Sequence, residues 1–478
     1  MIFTICMLTD SRGDKMDFRY KEVISFIKNE IDSGKLKQGS KLPSIRELSK
    51  SFDISTSTII RAYNELEKNH VIYSISKSGY YVVKSKVPLN PKLDEKKINF
   101  YSTTPDTEII PYSEFKHCIN QAIDIYKGEM FSYSSDPQGL MSLRKVLVKH
   151  FQNNHIFTSA DNIFITSGAQ QALDLLIKMP FPNGNSNILV EQPTYLGMLN
   201  CLELQHTNTL GIKRDINGID FNELETIFRN GNIKFFYTMP RFQNPTGFSY
   251  STDEKKRILA LAQKYNVYIV EDDYLSELET NTKCDPLYCF DNSSRVIYVK
   301  SYSKTLLPGL RVASVILPKL LSNVFIEYKK YCDKSTSILS QGTLEIFISS
   351  RMFHKYEKKI KLLYENKMKE FNSICNKSIL EGVKLFIPNT GFFIYVELPE
   401  ARSAQKLVVS LQARGVLIAS CENMFLQNFK QKNTLRISLS SACTEEIQRG
   451  MVIISQEIHK MSNIDFGFKN NIDFNYGW

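Results

Sequence analysis

The sequence has no long apolar segment of the kind that crosses a membrane. Its 478 residues are 42% hydrophobic and 23% charged, a composition typical of a folded globular protein. No run approaches the roughly 18 consecutive apolar residues that a membrane helix needs. The first eighteen residues begin apolar but carry neither a basic region nor a small-residue cleavage site, so they do not match a signal peptide.

Paired cysteines and internal repeats are also missing. The nine cysteines are scattered and form no CxxC pair, so the sequence gives no sign of a zinc site or a disulfide framework, and we expect no metal. A reducing cytoplasm is the simplest compartment for such a chain. No repeat with a period of 20–50 residues is visible, which argues against a repeat architecture.

Positive charge is present in excess and is unevenly distributed. The net charge is +10, and residues 16–86 contain 13 Lys and Arg against 8 Asp and Glu. Half of the excess therefore lies in a small part of the chain. This indicates an anionic partner for residues 16–86, although basic surfaces are common.

Residues 16–86 have the pattern of three helices followed by a hairpin. YKEVISFIKNEIDSG carries apolar residues at helical spacing. LPSIRELSKSF begins with a capping box formed by Ser44 and Glu47. STSTIIRAYNELEKNH follows after a short turn, and Ser55 can cap it. Two β-rich runs around residues 77–79 then predict a hairpin.

Two short helices joined by a tight turn, with a hairpin after them, describe a winged helix-turn-helix. The second helix would enter the DNA major groove with its N-terminal end first, where small hydroxyl side chains suit phosphates and base edges. The predicted DNA-contacting residues of the two helices are Arg46, Ser55, Thr56, Ser57, Thr58 and Arg61. On spacing alone, a helical hairpin whose serines only cap its helices is the alternative.

The segment SGKLKQGSKLPSIRELSKSFDISTSTIIRAYNELEKNHVI resembles the DNA-binding domain of GntR-family regulators nearly throughout. The match covers G-x-L-x-x-G, LPS-x-REL, the IS-x-x-T turn and the R-A-Y-x-x-L helix. The wing departs from the family, which often has Arg-Pro-Gly-Ser-Gly where residues 75–79 read Ile-Ser-Lys-Ser-Gly. The resemblance implies operator DNA as a partner, with Lys77 and Gly79 as candidate wing contacts.

The rest of the chain predicts an α/β fold. Residues 87–98 are charged and proline-containing, like a linker. Across 99–462, short β-rich runs alternate with helical ones, which favours a mostly parallel sheet. A long helical stretch, 319–375, leads to a smaller α+β subdomain of two or three strands at about 383–462. The tail, 463–478, supports no prediction.

Two motifs in this region could bind a phosphate group. In TSGAQQALDLL a strand ends and a helix begins, so the amides of Gly168, Ala169 and Gln170 could face an anion. In YVKSYSKTLLPGLR, Ser301 and Ser303 supply hydroxyl donors. Most strand-to-helix turns are only turns, and neither motif is specific by itself.

YVKSYSKTLLPGLR also carries Lys304 between a strand-like run and a Pro-Gly turn, with Arg311 just after it. The bend could bring both cations to one phosphate. Taken alone, Lys304 could equally be a solvated surface lysine.

Three more polar or aromatic positions stand near predicted strand ends. In VYIVEDDYL, Asp272 and Tyr274 are two apart, so on a strand they face the same side, where α/β sheets bind ligands. A solvated acidic strand end is the alternative for Asp272. Asn244 in MPRFQNPTG is either a turn residue or a hydrogen-bond donor held by the proline. Tyr195 in EQPTYLG offers an aromatic face.

One cofactor, pyridoxal 5'-phosphate (PLP), carries groups that match all of these residues. Its aldehyde forms a Schiff base with a lysine, here Lys304. Its ring nitrogen needs a carboxylate, here Asp272, which makes the ring an electron sink. The remaining predicted contacts are Tyr274 and Asn244 to the 3′ oxygen, Tyr195 to the ring face, and Gly168, Ala169, Gln170, Ser301, Ser303 and Arg311 to the phosphate.

In order and context these motifs resemble fold-type I aminotransferases of the class I/II group, and the whole chain resembles a MocR-type regulator of the GntR family. The resemblance implies a PLP aldimine on Lys304. It also implies that Arg436 in TLRISLS binds an amino-acid α-carboxylate, and that Tyr133 reaches the phosphate of a neighbouring subunit in a homodimer. The sequence departs from these families at two places. The family usually has a glycine where residues 103–106 read TTPD, and many MocR relatives have Ser-His where residues 241–242 are Arg-Phe.

These observations leave two functions of different classes. The first is a PLP-binding transcription regulator that senses PLP or an amino acid, and the winged helix favours it. The second is a catalytically active aminotransferase with an appended DNA-binding domain. A PLP-binding sensor without turnover uses the same lysine and aspartate, so the sequence does not separate sensing from slow transamination.

Overall fold

The chain divides into two compact units, Met1–Asp94 and Glu95–Trp478. The computed structural model describes residues 12–37, 39–69, 71–75, 78–83, 97–132, 136–281, 283–375, 382–429 and 433–469. Most of the predicted linker at 87–98 and the end of the predicted tail at 463–478 lie outside the described residues.

The smaller unit contains three helices and a hairpin, as predicted. Its elements are α1 (Arg12–Asp32), α2 (Ile45–Phe52), α3 (Thr56–Lys68), β1 (Ile72–Ile75) and β2 (Gly79–Val82). Both predicted caps are confirmed: Ser44 and Glu47 form a capping box on α2, and Ser55 Oγ accepts the Thr58 N–H at the start of α3. The two strands pair antiparallel, which confirms the hairpin.

One apolar core holds these elements together. Val23 and Ile27 on α1 are fully buried against Ile59 and Leu66 on α3 and against residues of α2 and the hairpin. The turn between α2 and α3 is made by Asp53, whose φ of 49° allows the chain to reverse within a few residues. The core fixes α3 with its N-terminal end exposed.

The larger unit is built around an eight-stranded sheet. The strands of this unit are β3 (Ile98–Asn99), β4 (Ile163–Thr166), β5 (Asn187–Gln192), β6 (Thr209–Asp215), β7 (Gly218–Ile219), β8 (Ile233–Thr238), β9 (Tyr268–Asp273), β10 (Val296–Ser301), β11 (Ala313–Ile316), β12 (Lys384–Phe386), β13 (Phe393–Glu397), β14 (Val416–Leu417), β15 (Ala419–Ser420) and β16 (Thr434–Ser438). The order in the large sheet is β4-β11-β10-β9-β8-β5-β6-β7. Only β11 and β7 run antiparallel to their neighbours, so the predicted mostly parallel sheet is confirmed.

Helices surround this sheet and follow its strands along the chain. They are α4 (Tyr112–Met130), α5 (Met141–Gln152), α6 (Ala169–Lys178), α7 (Leu196–Leu204), α8 (Phe221–Asn230), α9 (Thr252–Lys264), α10 (Lys319–Asp333), α11 (Ile338–Ser349), α12 (Met352–Cys375), α13 (Ala404–Ala413) and α14 (Thr444–Lys469). Short 3₁₀ turns occur at Ala160–Asn162, Ser276–Leu278, Leu287–Phe290, Pro308–Leu310 and Glu422–Met424.

The central strands are buried along their whole length. Every residue of β8, β9 and β10 is buried, as expected for a sheet that is covered on both faces. Because β4, β5, β8, β9 and β10 point the same way, their carboxyl ends meet at one edge. The predicted cofactor residues follow these strand ends, where parallel sheets bind ligands.

The C-terminal part has the predicted helical stretch, and it differs from the prediction in the number of strands of its smaller sheet. The stretch 319–375 is three helices, because Lys334 and Arg351 adopt positive φ angles of 56° and 62° between them. The smaller sheet has four strands, in the order β12-β13-β16-β15, and β14 pairs separately with β3. Helix α14 continues to Lys469, into the tail at 463–478, for which no structure was predicted.

Candidate cofactor site and DNA-binding face

Lys304 lies in the turn after β10 and is half-buried. Its Nζ donates a hydrogen bond of 2.5 Å to Thr103 Oγ1. Burial first, and then the charges of Arg436 and Arg311, lower the pKa of this amine to about 8, while the charge of Asp272 opposes them. An amine with a lowered pKa is neutral more often near neutral pH, which is what a nucleophilic lysine requires.

Asp272 is buried in β9, and only one of its two carboxylate oxygens accepts a hydrogen bond from the described residues. Tyr237 donates its hydroxyl hydrogen to Asp272 Oδ2 at 2.8 Å. Oδ1 has no hydrogen-bond partner among the described residues. Burial raises the pKa of the carboxyl to about 6, against the lowering effect of the Tyr237 hydrogen bond. A buried oxygen without a partner is costly, so it suits a ligand that brings a proton, such as a pyridine nitrogen.

Tyr274 and Asn244, the predicted partners of the 3′ oxygen, are both engaged within the protein. Strand β9 ends at Asp273, so Tyr274 lies one residue beyond the strand on which it was predicted. The Tyr274 hydroxyl donates to the carbonyl oxygen of Phe242. Asn244 Oδ1 accepts a bond of 3.0 Å from Arg436 Nη1.

Gly168 and Arg311 form a close contact at the phosphate end of the predicted site. Gly168 precedes α6 with φ 84° and ψ 164°, a conformation that side chains disfavour. A Cβ atom there would lie 2.7 Å from Arg311 Nη2. Arg311 is exposed, and its Nη2 donates to Ser167 O at 3.4 Å. Glycine therefore lets the guanidinium lie directly against the start of α6.

Some of the amide and hydroxyl groups predicted to bind the phosphate already form hydrogen bonds within the protein, and others do not. The Gly168 N–H already donates to Thr166 O at 2.8 Å, which leaves the first-turn amides of Ala169 and Gln170 as the candidates. Ser301 Oγ accepts the Ser303 N–H at 3.3 Å. The Ser303 hydroxyl is buried and has no partner among the described residues, so it could bind a phosphate oxygen.

Tyr195 is hydrogen-bonded to Gln170 of α6. It precedes α7, and its hydroxyl donates to Gln170 Oε1 at 3.3 Å, while Gln170 Nε2 donates to Gly197 O at 2.9 Å. Burial raises the Tyr195 pKa, and Asp272 adds to the effect. These contacts fix the ring near the carboxylate that would meet the cofactor.

Arg436 is a buried cation without a carboxylate partner among the described residues. Its exposed fraction is 5%, and its Nη2 donates to Tyr101 O at 3.2 Å. Its guanidinium carbon lies 4.6 Å from the Phe393 ring centre, and Nε has no partner in the described part of the chain. Burial lowers its pKa. Leu435 and Ile437 pack in the core of the small sheet, so Arg436 between them lies on the opposite face of β16.

Arg241, by contrast, is already paired. It donates to the Asp273 carboxylate and to Cys284 O, and the Tyr298 hydroxyl bonds the same carboxylate at 2.6 Å. Burial alone would lower its pKa, but the Asp273 charge outweighs burial and raises it. Arg436 is therefore the better candidate for a free carboxylate.

In the smaller unit, the exposed N-terminal end of α3 presents Ser55, Thr56 and Ser57. The prediction that Thr58 contacts DNA is wrong, because its side chain is buried and its Oγ1 lies 2.9 Å from Ser55 Oγ. Its hydroxyl supports the cap and does not face outward.

The two arginines predicted to contact DNA, Arg46 and Arg61, are both exposed. Arg61 lies 4.3 Å above the centre of the Tyr20 ring. At the hairpin, Gly79 has φ 115°, and a Cβ there would lie 3.2 Å from Lys41 Cε. Lys77 of the wing, and Tyr133 of the larger unit, lie outside the described residues.

Sequence reasoning missed the bond of Thr103 to Lys304 and missed Tyr237 altogether. Thr103 precedes the large sheet by 60 residues of chain, and it stands out only within TTPD, as a departure from a family glycine, which predicts no bond to the lysine. Tyr237 could have been found, because parallel neighbours β8 and β9 bring their carboxyl ends together. In the described part of the chain, no helix is both long and apolar enough to span a bilayer.

The geometry defines a winged helix-turn-helix joined to an aminotransferase-type cofactor site. The orphaned Asp272 and Ser303 oxygens, the Gly168–Arg311 contact and the amine of Lys304 fit the ring nitrogen, phosphate and aldehyde of PLP.

Comparison with known proteins agrees. The family described as "Aminotransferase class I and II" matches residues 95–452, and "Bacterial regulatory proteins, gntR family" matches residues 19–82. The chain belongs to the class I and II aminotransferase family, carries a GntR-type DNA-binding domain and is MocR-like in this combination. PLP is the cofactor of this class of domain.

Similar proteins include both regulators and enzymes. The "Uncharacterized HTH-type transcriptional regulator YcxD" of Bacillus subtilis (strain 168) is 41% identical over 92% of this chain and 100% of its own length. The Pyrococcus horikoshii kynurenine aminotransferase structure has a TM-score of 0.71 at 26% identity, over 76% of this chain and 91% of that one. The structure of the multiple substrate aminotransferase of Thermococcus profundus has a TM-score of 0.72 at 26% identity, over 78% of this chain and 93% of that one.

Proposed function

We propose that the chain is a transcription regulator whose larger unit senses PLP or an amino acid and thereby changes how the smaller unit binds an operator. The combination of an exposed α3 N-terminal end with a buried, carboxylate-free Arg436 beside Lys304 carries this proposal. A metabolic enzyme needs the second feature but not the first.

Lys304, Asp272 and Arg311 are the principal cofactor residues in this proposal. Bound PLP supplies an aldehyde carbon and an electron-withdrawing ring. Lys304 provides the amine that joins the aldehyde, and Asp272 holds the proton of the ring nitrogen. Arg311 and the Ser303 hydroxyl neutralise and bond the phosphate, together with first-turn amides of α6. Tyr195 covers the ring face.

Arg436 is the proposed anchor for the carboxylate of an amino acid. Its planar guanidinium can bind a carboxylate through two parallel hydrogen bonds and stays charged when buried. A buried cation gains most from such a partner, because its own burial has removed it from water. Asn244, which already contacts Arg436 Nη1, would adjust when the carboxylate arrives.

The proposed DNA contacts are Ser55, Thr56 and Ser57 at the end of α3, with Arg46 and Arg61 on phosphates or guanine. All five are exposed. Lys77 and Gly79 of the wing are additional candidates. Such a regulator would act in the cytoplasm, where it meets the chromosome.

We also propose a homodimer. Two winged helices could then engage two half-sites, and Tyr133 could reach the phosphate of the neighbouring subunit. A second candidate function, transamination, is favoured by Lys304, Asp272 and Arg436 occurring together, since an active aminotransferase needs the same groups.

The proposal is tested with purified protein, PLP and a panel of amino acids. Borohydride reduction followed by peptide mapping should place the pyridoxyl group on Lys304 and not on Lys300, which pairs with Glu277 at 2.7 Å. Absorbance changes with an amino acid, without keto acid, support sensing; keto acid formed in large excess over the protein, when a second keto acid is added as amino acceptor, supports the enzyme. Absence of the pyridoxyl group from Lys304 would refute the proposed cofactor site.

A further inference from the structure

A short segment before the large sheet, residues 101–106, contacts two of the proposed functional cations, Lys304 and Arg436. Thr103 Oγ1 accepts the 2.5 Å hydrogen bond from Lys304 Nζ. Two residues earlier, the carbonyl oxygen of Tyr101 accepts a bond of 3.2 Å from Arg436 Nη2. The segment therefore connects the proposed cofactor lysine to the proposed carboxylate anchor.

This segment is fixed by several bonds to the C-terminal part of the same unit. Ser440 Oγ donates to Ser102 O at 2.8 Å. The Asp106 N–H donates to the Tyr364 hydroxyl at 3.1 Å, and Lys367 Nζ lies 2.8 Å from Asp106 Oδ2. Anchors on both sides hold the Thr103 hydroxyl in place, so its bond to the lysine is not a chance contact of a free loop.

We propose that Thr103 is a positioning residue for Lys304, whose hydroxyl holds the lysine amine whenever that amine is not joined to the cofactor. The inference rests on the proposed function of Lys304. Joining Lys304 Nζ to the aldehyde carbon of PLP would release the aldehyde oxygen as water and leave the nitrogen with at most one N–H. The hydrogen bond to Thr103 would be weakened or lost in the joined state, so Thr103 would favour the detached lysine.

The consequence is a weaker hold on PLP than the site would otherwise have. A hydroxyl that accepts from the amine stabilises the free lysine relative to the joined one. Thr103 would thus keep Lys304 ready to be displaced by an amino acid, which suits a sensor that must respond reversibly. The adjacent Thr104 is exposed, and its Oγ1 bonds Ser102 Oγ at 2.7 Å, so it offers a matched control.

The first measurement uses full-length protein freed of cofactor. Competitive acetylation across pH, read by peptide mass, reports the charge state of Lys304, which faces Asp272 from β9, Arg436 from β16 and Arg311 beyond the Pro-Gly turn. Thr103→Val and Thr103→Ala should label about two- to tenfold faster at pH 7, because the amine loses an acceptor that favours its charged form. Thr103→Ser and Thr104→Val should label like wild type.

The second measurement is the dissociation constant of PLP by absorbance titration. Thr103→Val and Thr103→Ala should bind PLP about two- to tenfold more tightly, and Thr103→Ser should restore the wild-type value. A residue that only supports the fold would instead weaken PLP binding when changed. Unchanged or weaker binding in both variants, with unchanged labelling of Lys304, overturns the inference.

Failure of the inference and failure of the proposed function give different results. If Lys304→Ala loses covalent PLP while the Thr103 variants behave like wild type, only the Thr103 inference fails. If Lys304→Ala keeps covalent PLP, the proposed site itself is wrong.

Discussion

Asn244 Oδ1 accepts a 3.0 Å hydrogen bond from Arg436 Nη1, which joins the loop after β8 to strand β16 of the smaller sheet. The bond links two residues whose predicted ligands differ, the 3′ oxygen of PLP and the carboxylate of an amino acid. A carboxylate at Arg436 would compete for the same guanidinium. Under the proposed function, binding of the amino acid would therefore be coupled to the contacts of the cofactor ring.

Replacing Arg436 by lysine should keep PLP on Lys304 but weaken amino-acid binding at least tenfold, because lysine lacks the planar fork that binds a carboxylate through two bonds. Absorbance titrations of the PLP-loaded protein with amino acids measure this. The control is Arg414→Lys, which lies on the surface in an ion pair with Glu457. Identical titration curves for Arg436→Lys and wild type would remove Arg436 from the site.

Gly168→Ala should lower both stability and PLP affinity. The backbone conformation at Gly168 would cost a side chain about 1–3 kcal/mol, and the new Cβ would lie 2.7 Å from Arg311 Nη2. The displaced guanidinium would no longer meet the phosphate. Gly309→Ala is the control, since a Cβ there has no described atom within 4 Å. Equal PLP affinities of the two variants would contradict the account of the phosphate end.

Asp272→Asn should change how stability depends on pH in the cofactor-free protein. Burial raises the Asp272 pKa from its ordinary 3.8 to about 6, so the folded state holds this proton more tightly than the unfolded chain. As pH rises from about 4 to about 6, wild type should lose stability relative to the variant, by on the order of 2 kcal/mol. Pulse proteolysis in urea measures the free energy of unfolding of both proteins at each pH. Parallel curves of this free energy against pH would argue against a raised pKa of the Asp272 carboxyl.

The sequence predicted the local structure of the smaller unit well, because its signals are local. Capping at Ser44 and Ser55 depends on residues within one helical turn, and both caps are present. Thr58 was misjudged because exposure depends on packing: one turn of helix decides whether a hydroxyl faces the core or solvent.

In the larger unit, strand ends could be predicted but the partners between distant segments could not. Asp272 and Lys304 follow β-rich runs that are evident in the sequence. Thr103 is 201 positions from Lys304, and only the folded chain brings them to 2.5 Å. Arg241 and Arg436 look alike in sequence, and the ion pair with Asp273 alone separates them.

DNA binding should depend on the exposed end of α3 and on salt. Arg46→Ala and Arg61→Ala should each weaken operator binding and reduce the slope of log K against log salt by about 1, if each contacts one phosphate. Lys68→Ala, exposed at the opposite end of α3, is the control. Fluorescence anisotropy with the DNA upstream of the chain's own gene reports both quantities. Arginine variants that match Lys68→Ala would exclude this face.

The central claim is that the larger unit, through Lys304, controls DNA binding by the smaller one. The most direct test compares the operator affinity of full-length wild type and Lys304→Ala, each with PLP and with PLP plus an amino acid that changes the wild-type absorbance. We predict that the amino acid changes wild-type affinity at least fivefold, as expected for a coupling of 1 kcal/mol or more, and leaves Lys304→Ala unchanged. An operator affinity that is the same in all four cases would contradict the account.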